Sequence, residues 1–218
     1  MKAESDKAGL RQAVLDAARA MSESGLSPGR SGNVSARLGE GMVITPSGVA
    51  YEGMSADDLV RVAGDGTPEA HRYKPSSEWR FHLAVYAARP EAQAIVHAHS
   101  RHATALACAE KPIPAFHYMV AVAGGSDIRC SPYATFGTED LAGHVVAALE
   151  GRRACLMAHH GQIAFGRTPQ AALELAGEVE ELAAQYCEWL KIGGGATLDD
   201  AEMARVLERF KTYGAGEG

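Results

Sequence analysis

The segment Ala94-Ile-Val-His-Ala-His99, together with the small and apolar residues at 100–109 that follow it, decides the fold of this chain. The first part is a short apolar run, typical of a buried strand, and the second is typical of a helix. A strand followed at once by a helix indicates an α/β architecture. Because side chains alternate along a strand, His97 and His99 lie on one face while Val96 faces the other way.

The same reasoning predicts a mixture of helices and strands on both sides of this segment. Helices are predicted over residues 8–24, 75–88, 100–109, 169–191 and 199–212. Strands are predicted over residues 33–38, 42–45, 59–62, 94–98 and 154–158, and residues 162–165 are expected to pair near the last of them. We expect one α/β domain over residues 1–218, with a mixed or antiparallel central sheet flanked by helices.

Composition and charge argue against several classes of protein. The chain has 218 residues, 46% hydrophobic and 22% charged, which is typical of a globular protein and not of a disordered one. Its formal net charge of -6 gives no support for nucleic-acid binding. No apolar run approaches the ~20 residues of a membrane helix, and residues 1–12 lack the apolar core of a secretion signal. Four scattered cysteines without a CxxC spacing indicate reduced thiols, so we expect a cytoplasmic protein. From the charge and the lack of a long apolar run, we expect no nucleic-acid or membrane partner.

Two groups of histidines follow predicted buried strands. His97 and His99 share one face, so they are as typical of half a metal site as of a hydrogen-bonded pair. His159 and His160 follow the strand predicted at 154–158. Neighbouring side chains on a strand point to opposite faces, so at most one of these two can join the first pair. The spacing alone does not choose between them.

The segment Pro75-Ser-Ser-Glu-Trp-Arg-Phe-His82 is predicted to open a helix, with Ser76 as its N-cap and Glu78 in its first turn. A carboxylate in that position is favoured by the helix dipole, and a charge-complemented helix start is the simplest interpretation. Glu78 and His82 also lie four residues apart on one helical face. That spacing is compatible with a metal site that includes both.

Three short segments rich in small polar residues are candidate sites for an anion: Ser31-Gly-Asn33, Thr45-Pro-Ser-Gly48 and Ser76-Ser77. Each segment alone is typical of a turn or a helix cap. Together their N–H and O–H donors could surround a phosphate. None has the spacing of a P-loop, and no GxGxxG follows a strand, which argues against nucleotide binding.

In their order and spacing these segments resemble the class II (zinc-dependent) aldolase/adducin family. The resemblance covers nearly the whole chain and includes the 75–82 segment, Gly32-Asn-Val-Ser35, Ile44-Thr-Pro-Ser-Gly48, Val96-His-Ala-His99, Ile113-Pro-Ala-Phe-His-Tyr-Met119, Tyr133-Ala-Thr-Phe-Gly-Thr138, His159-His-Gly161 and Phe210-Lys-Thr-Tyr-Gly214. It implies the family's fold and the reversible cleavage of a ketose 1-phosphate, expected to be L-fuculose 1-phosphate, to dihydroxyacetone phosphate and L-lactaldehyde. It also implies a C4-symmetric homotetramer with active sites between subunits.

The resemblance assigns roles to individual residues. It implies one Zn2+ per subunit, bound by Glu78, His97, His99 and His160. It implies that Glu78 is also the catalytic acid and base, and that Tyr118 is a proton donor and acceptor from a neighbouring subunit. Phosphate binding is implied for Asn33, Ser47, Gly48, Ser76 and Ser77, and the aldehyde pocket for Phe136 and Tyr213. His159 is left out of the metal site, and His82 takes a structural role.

The chemistry explains why such a site needs histidines. Cleavage of a C–C bond next to a ketone leaves an electron pair on carbon, which is delocalised into the carbonyl oxygen as an enediolate. Three neutral imidazoles leave zinc its full positive charge and open coordination positions, so the ion acts as a Lewis acid on that oxygen. A lysine Schiff base is then not required.

Three alternatives stay open. An L-ribulose-5-phosphate 4-epimerase uses the same metal site, although the segment 117–125 looks like that of an aldolase. Another sugar-phosphate aldolase or a dehydratase of the family is compatible, because Arg30 stands where the family has a small hydroxyl residue. Its guanidinium would either add charge to phosphate binding or point to solvent. An adducin-head-like interaction module without catalysis is disfavoured, because the four residues of the metal site are all present.

Overall fold

A mixed sheet of seven strands forms the centre of the computed structural model, which describes residues 2–28 and 31–211. The strands are β1 (Asn33–Leu38), β2 (Gly41–Ile44), β3 (Val60–Val62), β4 (Ala94–Ala98), β5 (Cys130–Ser131), β6 (Ala154–Met157) and β7 (Gly161–Gly166). Their order in space is β3-β2-β1-β4-β7-β6-β5. β5 pairs in parallel with β6, and the other neighbouring pairs are antiparallel. Of the two sheet types that were predicted, the mixed one is confirmed.

Helices cover both faces of this sheet. The α-helices of the described residues are α1 (Lys2–Glu23), α2 (Trp79–Ala88), α3 (Arg101–Cys108), α4 (Glu139–Ala148), α5 (Pro169–Lys191) and α6 (Asp200–Phe210). α2 and α4 pack against each other on one face, whereas α1, α3 and α5 cover the opposite face. Across the described parts of the chain, no helix combines the length and the apolar character needed to cross a bilayer.

β4 lies near the middle of the sheet, and its side chains alternate as predicted. Ile95 packs into the core beneath α2 and α4, whereas Val96 and Ala98 belong to the core beneath α5. His97 follows Ile95 at period two, so its side chain lies on the α2 face. The strand therefore directs a histidine toward α2 from a position where backbone hydrogen bonds on both sides hold it.

Among the α-helices and strands of the described residues, two were not predicted from the sequence, α4 and the two-residue strand β5. α4 is capped by Thr138, whose hydroxyl accepts a hydrogen bond from Leu141 N at 3.3 Å. Two acidic residues follow this cap in the first turn of the helix. An N-cap threonine followed by acidic residues is a recognisable start of a helix, so the sequence did contain evidence for α4.

Candidate metal centre and active site

Four side chains from three separate segments converge at one end of the sheet. His97 and His99 come from the end of β4, His160 from the loop between β6 and β7, and Glu78 from the turn before α2. One nitrogen or oxygen atom from each of the four lies within 4.8 Å of the others. Glu78 Oε1 lies 2.8 Å from His160 Nε2, and Glu78 Oε2 lies 3.2 Å from His97 Nε2. The Nε2 atoms of His97 and His99 are 2.9 Å apart.

The position of Glu78 depends on a tight turn before α2. Trp79 N donates to Ser76 O at 3.2 Å, and Glu78 N donates to Ser76 Oγ at 3.3 Å. The prediction that Ser76 is the N-cap and that Glu78 lies in the first turn is wrong. The helix begins at Trp79 and Glu78 is the N-cap residue, because the turn occupies the two positions that were expected to be helical.

His159 and His160 have different surroundings although they are adjacent. Met157 pairs with Gly161, so residues 158–160 form the loop of a β-hairpin. His160 joins the cluster, whereas His159, with a φ of 54°, contacts Glu110 at 3.1 Å through Nε2. Strand alternation does not cause this separation, since the strand ends before either histidine. The left-handed backbone at His159 turns the chain between the two side chains.

Hydrogen bonds and burial prepare the cluster for a cation. His97 Nδ1 donates to Gln162 O at 2.8 Å, which leaves the lone pair on Nε2 directed at the other three residues. Burial, and after it the proximity of His97 and His160, lowers the pKa of His99 to about 3, so its imidazole is neutral at pH 7. Burial opposes ionisation of Glu78, but His97 and His160 outweigh it and hold the pKa of this carboxyl below its usual range. Imidazole nitrogens and one carboxylate are a donor set that fits a divalent metal.

A cavity of about 430 Å3 opens beside this cluster. The five predicted phosphate-binding residues all line it, namely Asn33, Ser47, Gly48, Ser76 and Ser77. Phe136, predicted for the aldehyde pocket, lines the same cavity. Among the described residues of the cavity wall there is no lysine or arginine, so an anion would be bound by other donors, such as serine hydroxyls, the Asn33 amide and backbone N–H groups.

Gly32 is a position in the cavity wall that cannot carry a side chain. Its φ is 84°, and a Cβ atom there would lie 2.7 Å from His97 O and 2.5 Å from Ser27 Oγ. Glycine therefore lets the start of β1 pass close to the end of β4. This close passage brings Asn33 opposite His97 in the sheet.

The structure does not bring every predicted residue to the cavity of its own chain. Tyr118 starts a short 3-10 helix, is 50% exposed and lines a separate groove between that helix and α6. Tyr213 and Arg30 lie outside the described residues.

Sequence analysis missed two residues that line the cavity, Tyr133 and His159. Their rings meet edge to face with centroids 5.8 Å apart. Tyr133 belongs to one of the segments that carry the family resemblance, which was the only indication of its place. His159 was set aside as the histidine that does not bind the metal, although exclusion from the ligand set does not exclude a residue from the cavity wall.

Comparisons with known proteins agree with this geometry. Residues 12–187 match the family model described as the Class II Aldolase and Adducin N-terminal domain. A 5-methylthioribulose-1-phosphate/5-deoxyribulose-1-phosphate aldolase of Rhodospirillum rubrum is 54% identical over 205 residues, which are 94% of this chain and 92% of the relative. An L-fuculose phosphate aldolase of Escherichia coli is 48% identical over 206 residues, 94% of this chain and 95% of the relative.

A solved structure of L-fuculose 1-phosphate aldolase superimposes with a TM-score of 0.89 at 39% identity, covering 93% of this chain and 96% of that one. The match in sequence and the match in fold thus extend over nearly the same length, and both include the segments that form the cluster and the cavity. The chain therefore belongs to the class II aldolase and adducin family, as one of its aldolases.

Proposed function

We propose that this aldolase reversibly cleaves a ketose 1-phosphate to dihydroxyacetone phosphate and an aldehyde. One observation carries the proposal: a cluster of three histidines and a glutamate borders a cavity whose wall also contains the serines and glycines suited to a phosphate. The wall with serines and glycines suits the phosphate group of such a substrate, and the cluster suits its carbonyl group. Binding the phosphate fixes the position of the carbonyl group beside the cluster.

The metal in this proposal is zinc, one ion per subunit, held by Glu78, His97, His99 and His160. A bound divalent metal supplies Lewis-acid stabilisation of the negative charge that develops on the substrate oxygens. The protein's own contribution is to hold the ligands in place. His97 is fixed by its hydrogen bond to Gln162 O, and Glu78 by the turn at Ser76.

Glu78 is proposed to take a proton from, and return it to, the substrate carbon next to the carbonyl group. Its carboxylate is buried and lines the cavity, so it is close to bound substrate and shielded from bulk water. Its carboxylate is ionised at pH 7, which is the state that a general base requires.

The phosphate group is proposed to bind Asn33, Ser47, Gly48, Ser76 and Ser77. The hydroxyls of the three serines and the surrounding backbone N–H groups donate hydrogen bonds to phosphate oxygens. The guanidinium of Arg30, next to this region in sequence, would add a positive charge if it reaches the phosphate.

Tyr118 is proposed to act on the substrate hydroxyl that becomes the aldehyde, in the cavity of a neighbouring subunit. Its exposure and its absence from the cavity of its own chain support a role across a subunit boundary. The proposal includes a C4-symmetric homotetramer, with Phe136 and Tyr213 enclosing the aldehyde portion.

The substrates named for the two curated relatives share one chemical feature. L-Fuculose 1-phosphate and 5-deoxyribulose 1-phosphate end in a methyl group, and 5-methylthioribulose 1-phosphate ends in a methylthio group. Tyr133 and Phe136 give the cavity aromatic surface that suits an apolar end group. We therefore propose as substrate a ketose 1-phosphate with an apolar terminal group, which includes the L-fuculose 1-phosphate expected from the sequence and the two ribulose derivatives.

Two further parts of the sequence prediction belong to this proposal. Residues 1–218 are proposed to form a single domain, since the family model spans residues 12–187 and the seven strands belong to one sheet. The cytoplasmic location stays a prediction, in keeping with four cysteines that form no disulfide.

The test is to incubate purified protein with the three ketose 1-phosphates and with L-ribulose 5-phosphate, and to measure dihydroxyacetone phosphate. We expect release from at least one ketose 1-phosphate, loss of this activity on chelation, and its return on adding Zn2+. Conversion of L-ribulose 5-phosphate to its epimer without release of dihydroxyacetone phosphate would instead identify an epimerase. Elemental analysis of the same sample checks for about one metal per chain.

A further inference from the structure

Behind Glu78, on the side of α2, four buried polar side chains form a continuous chain of hydrogen bonds. Asn33 Nδ2 lies 3.0 Å from Glu78 Oε2, and Asn33 Oδ1 lies 2.5 Å from His82 Nε2. His82 Nδ1 lies 2.7 Å from Ser35 Oγ, which lies 2.8 Å from Tyr86 Oη. We refer to Asn33, His82, Ser35 and Tyr86 as the Glu78 support chain.

Every hydrogen bond of the support chain has one possible direction. The carboxylate of Glu78 can only accept, so Asn33 donates its amide N–H. The carbonyl oxygen of Asn33 then faces His82 and must accept a hydrogen bond from His82 Nε2–H. The other ring nitrogen of His82 carries a lone pair and accepts from the Ser35 hydroxyl, whose oxygen accepts in turn from Tyr86.

Burial makes this arrangement hard to replace. His82 and Ser35 are 0% exposed, and Asn33 and Tyr86 are 3% exposed. No bulk water reaches His82 or Ser35 to take over a lost hydrogen bond, and an unpaired polar atom at that depth is costly. The ring of His82 is also held in place by stacking on Phe81, with centroids 4.7 Å apart.

His82 therefore decides which end of the Asn33 amide faces the carboxylate. With Nε2–H as the donor, the amide oxygen is occupied and the amide N–H2 group points at Glu78. Without that donor, the Asn33 amide can rotate by half a turn without losing a hydrogen bond to residue 82. The rotated amide would place its oxygen against the carboxylate and remove the hydrogen bond that orients it.

We propose that His82 is a positioning residue for the proton transfer assigned to Glu78, acting through Asn33. The role of Glu78 in this inference rests on the proposed function. The directions of the hydrogen bonds do not depend on it. His82 itself touches neither substrate nor the metal-binding atoms. It gives Glu78 one defined orientation at the cavity wall, and the Ser35 hydroxyl, itself paired with Tyr86, holds the ring of His82 in place through Nδ1.

The test compares His82→Met with His82→Gln. Methionine fills the space but donates no hydrogen bond, whereas the glutamine amide can place an N–H near the position of Nε2. For His82→Met we expect kcat and the exchange of the dihydroxyacetone phosphate C–H with deuterated water to fall about ten- to a hundredfold. KM should stay within about threefold, because four of the five residues proposed to bind the phosphate, Ser47, Gly48, Ser76 and Ser77, are not part of the support chain. His82→Gln should recover most of the loss in kcat and exchange.

Val85→Ala is the matched control, because Val85 is buried on the same helix and takes no part in the support chain. It should lower the melting temperature without lowering kcat. If His82→Met does not fold, Ser35→Ala replaces it, since losing the Ser35 hydroxyl leaves His82 Nδ1 without its partner, loosens the ring and should lower kcat with little change in KM.

A second measurement needs no activity. Nitrogen-15 NMR of histidine-labelled, metal-free protein should find His82 protonated on Nε2 and not on Nδ1. Protonation on Nδ1, equal kcat in His82→Met and wild type, or a loss in His82→Gln as large as in His82→Met would each overturn the proposal. A wild-type protein that neither cleaves ketose 1-phosphates nor exchanges the C–H would overturn the proposed function instead, and the NMR result would still decide the hydrogen-bond directions.

Discussion

Both faces of the central sheet bury an apolar core, but they differ in the polar side chains buried with it. The face under α5 is packed with aliphatic residues, including Leu156, Val179 and Leu182. Its buried Gln162 satisfies its amide N–H2 locally, on Ser100 Oγ and Ala176 O. The face under α2 buries the support chain of Glu78, and this chain of polar groups ends at the candidate metal centre.

This difference separates stability from chemistry in one sheet. Aliphatic packing on the α5 face stabilises the fold and keeps β4, β6 and β7 in place. On the α2 face, hydrogen bonds give less net stability than aliphatic packing would, but they fix directions. Substitutions of the polar side chains on the α2 face should therefore change metal binding and rate, and substitutions of aliphatic side chains on the α5 face should change the free energy of unfolding.

The largest effect is expected at the end of the β6–β7 hairpin. His160→Ala should lose most of its bound metal and all measurable cleavage activity, because one imidazole of the cluster is gone. His159→Ala should keep most of its metal, since that side chain contacts Glu110 and Tyr133 instead. Elemental analysis of the two folded variants makes the comparison. Equal metal loss in both would show that the assignment of His160 is wrong.

The next largest effect is expected from two variants that separate proton transfer at the substrate carbon, assigned to Glu78, from proton transfer at the substrate hydroxyl, assigned to Tyr118. Glu78→Gln keeps the shape of the side chain and removes the base, so exchange of the dihydroxyacetone phosphate C–H should slow by ~10²–10⁴ while substantial metal remains. Tyr118→Phe should cut C–C cleavage severely but preserve that exchange, because Glu78 and the metal ligands are intact. NMR in deuterated water and a cleavage assay give the two rates.

Mixing Glu78→Gln with Tyr118→Phe tests whether an active site contains residues from two subunits. After subunit exchange verified by mass spectrometry, some cavities would combine Glu78 from one chain with Tyr118 from another, and part of the cleavage activity should return. Absence of any recovery would count against a cross-subunit role for Tyr118. Parallel loss of exchange and cleavage in Tyr118→Phe would mean that the residue is structural or acts at the carbon.

Local sequence patterns were sufficient for most of the fold. α5 runs from Pro169 to Lys191 as predicted, because it has an apolar stripe and a proline at its start. Period-two alternation correctly put His97 on the face opposite Val96. α4 was missed although Thr138 caps it, and the start of α2 was predicted two residues too early because Ser76 stabilises a turn and not the helix itself.

The parts of the site that could not be predicted depend on contacts between distant segments. His82 meets Asn33, which lies 49 residues away in sequence, and no local spacing indicates that pairing. The four-residue spacing of Glu78 and His82 suggested a shared metal instead. The left-handed backbone at His159 is set by the hairpin loop, so strand alternation could not separate this residue from His160.

The smallest effect on activity is expected from Leu156→Ala on the α5 face. Leu156 is fully buried, and its loss leaves a cavity between the sheet and the helices, so we expect the free energy of unfolding to fall by about 2–5 kcal/mol. Leu156 belongs to the apolar cluster beneath α5, whereas the ring of His82 stacks on Phe81, which belongs to the cluster beneath α2. Metal content and kcat, measured well below the melting temperature, should therefore stay within about twofold of wild type. Chemical denaturation gives the first quantity, and elemental analysis and steady-state kinetics give the others. A fall in kcat as large as that of His82→Met would mean that packing on the α5 face also sets the position of Glu78, and the division between the two faces would then be wrong.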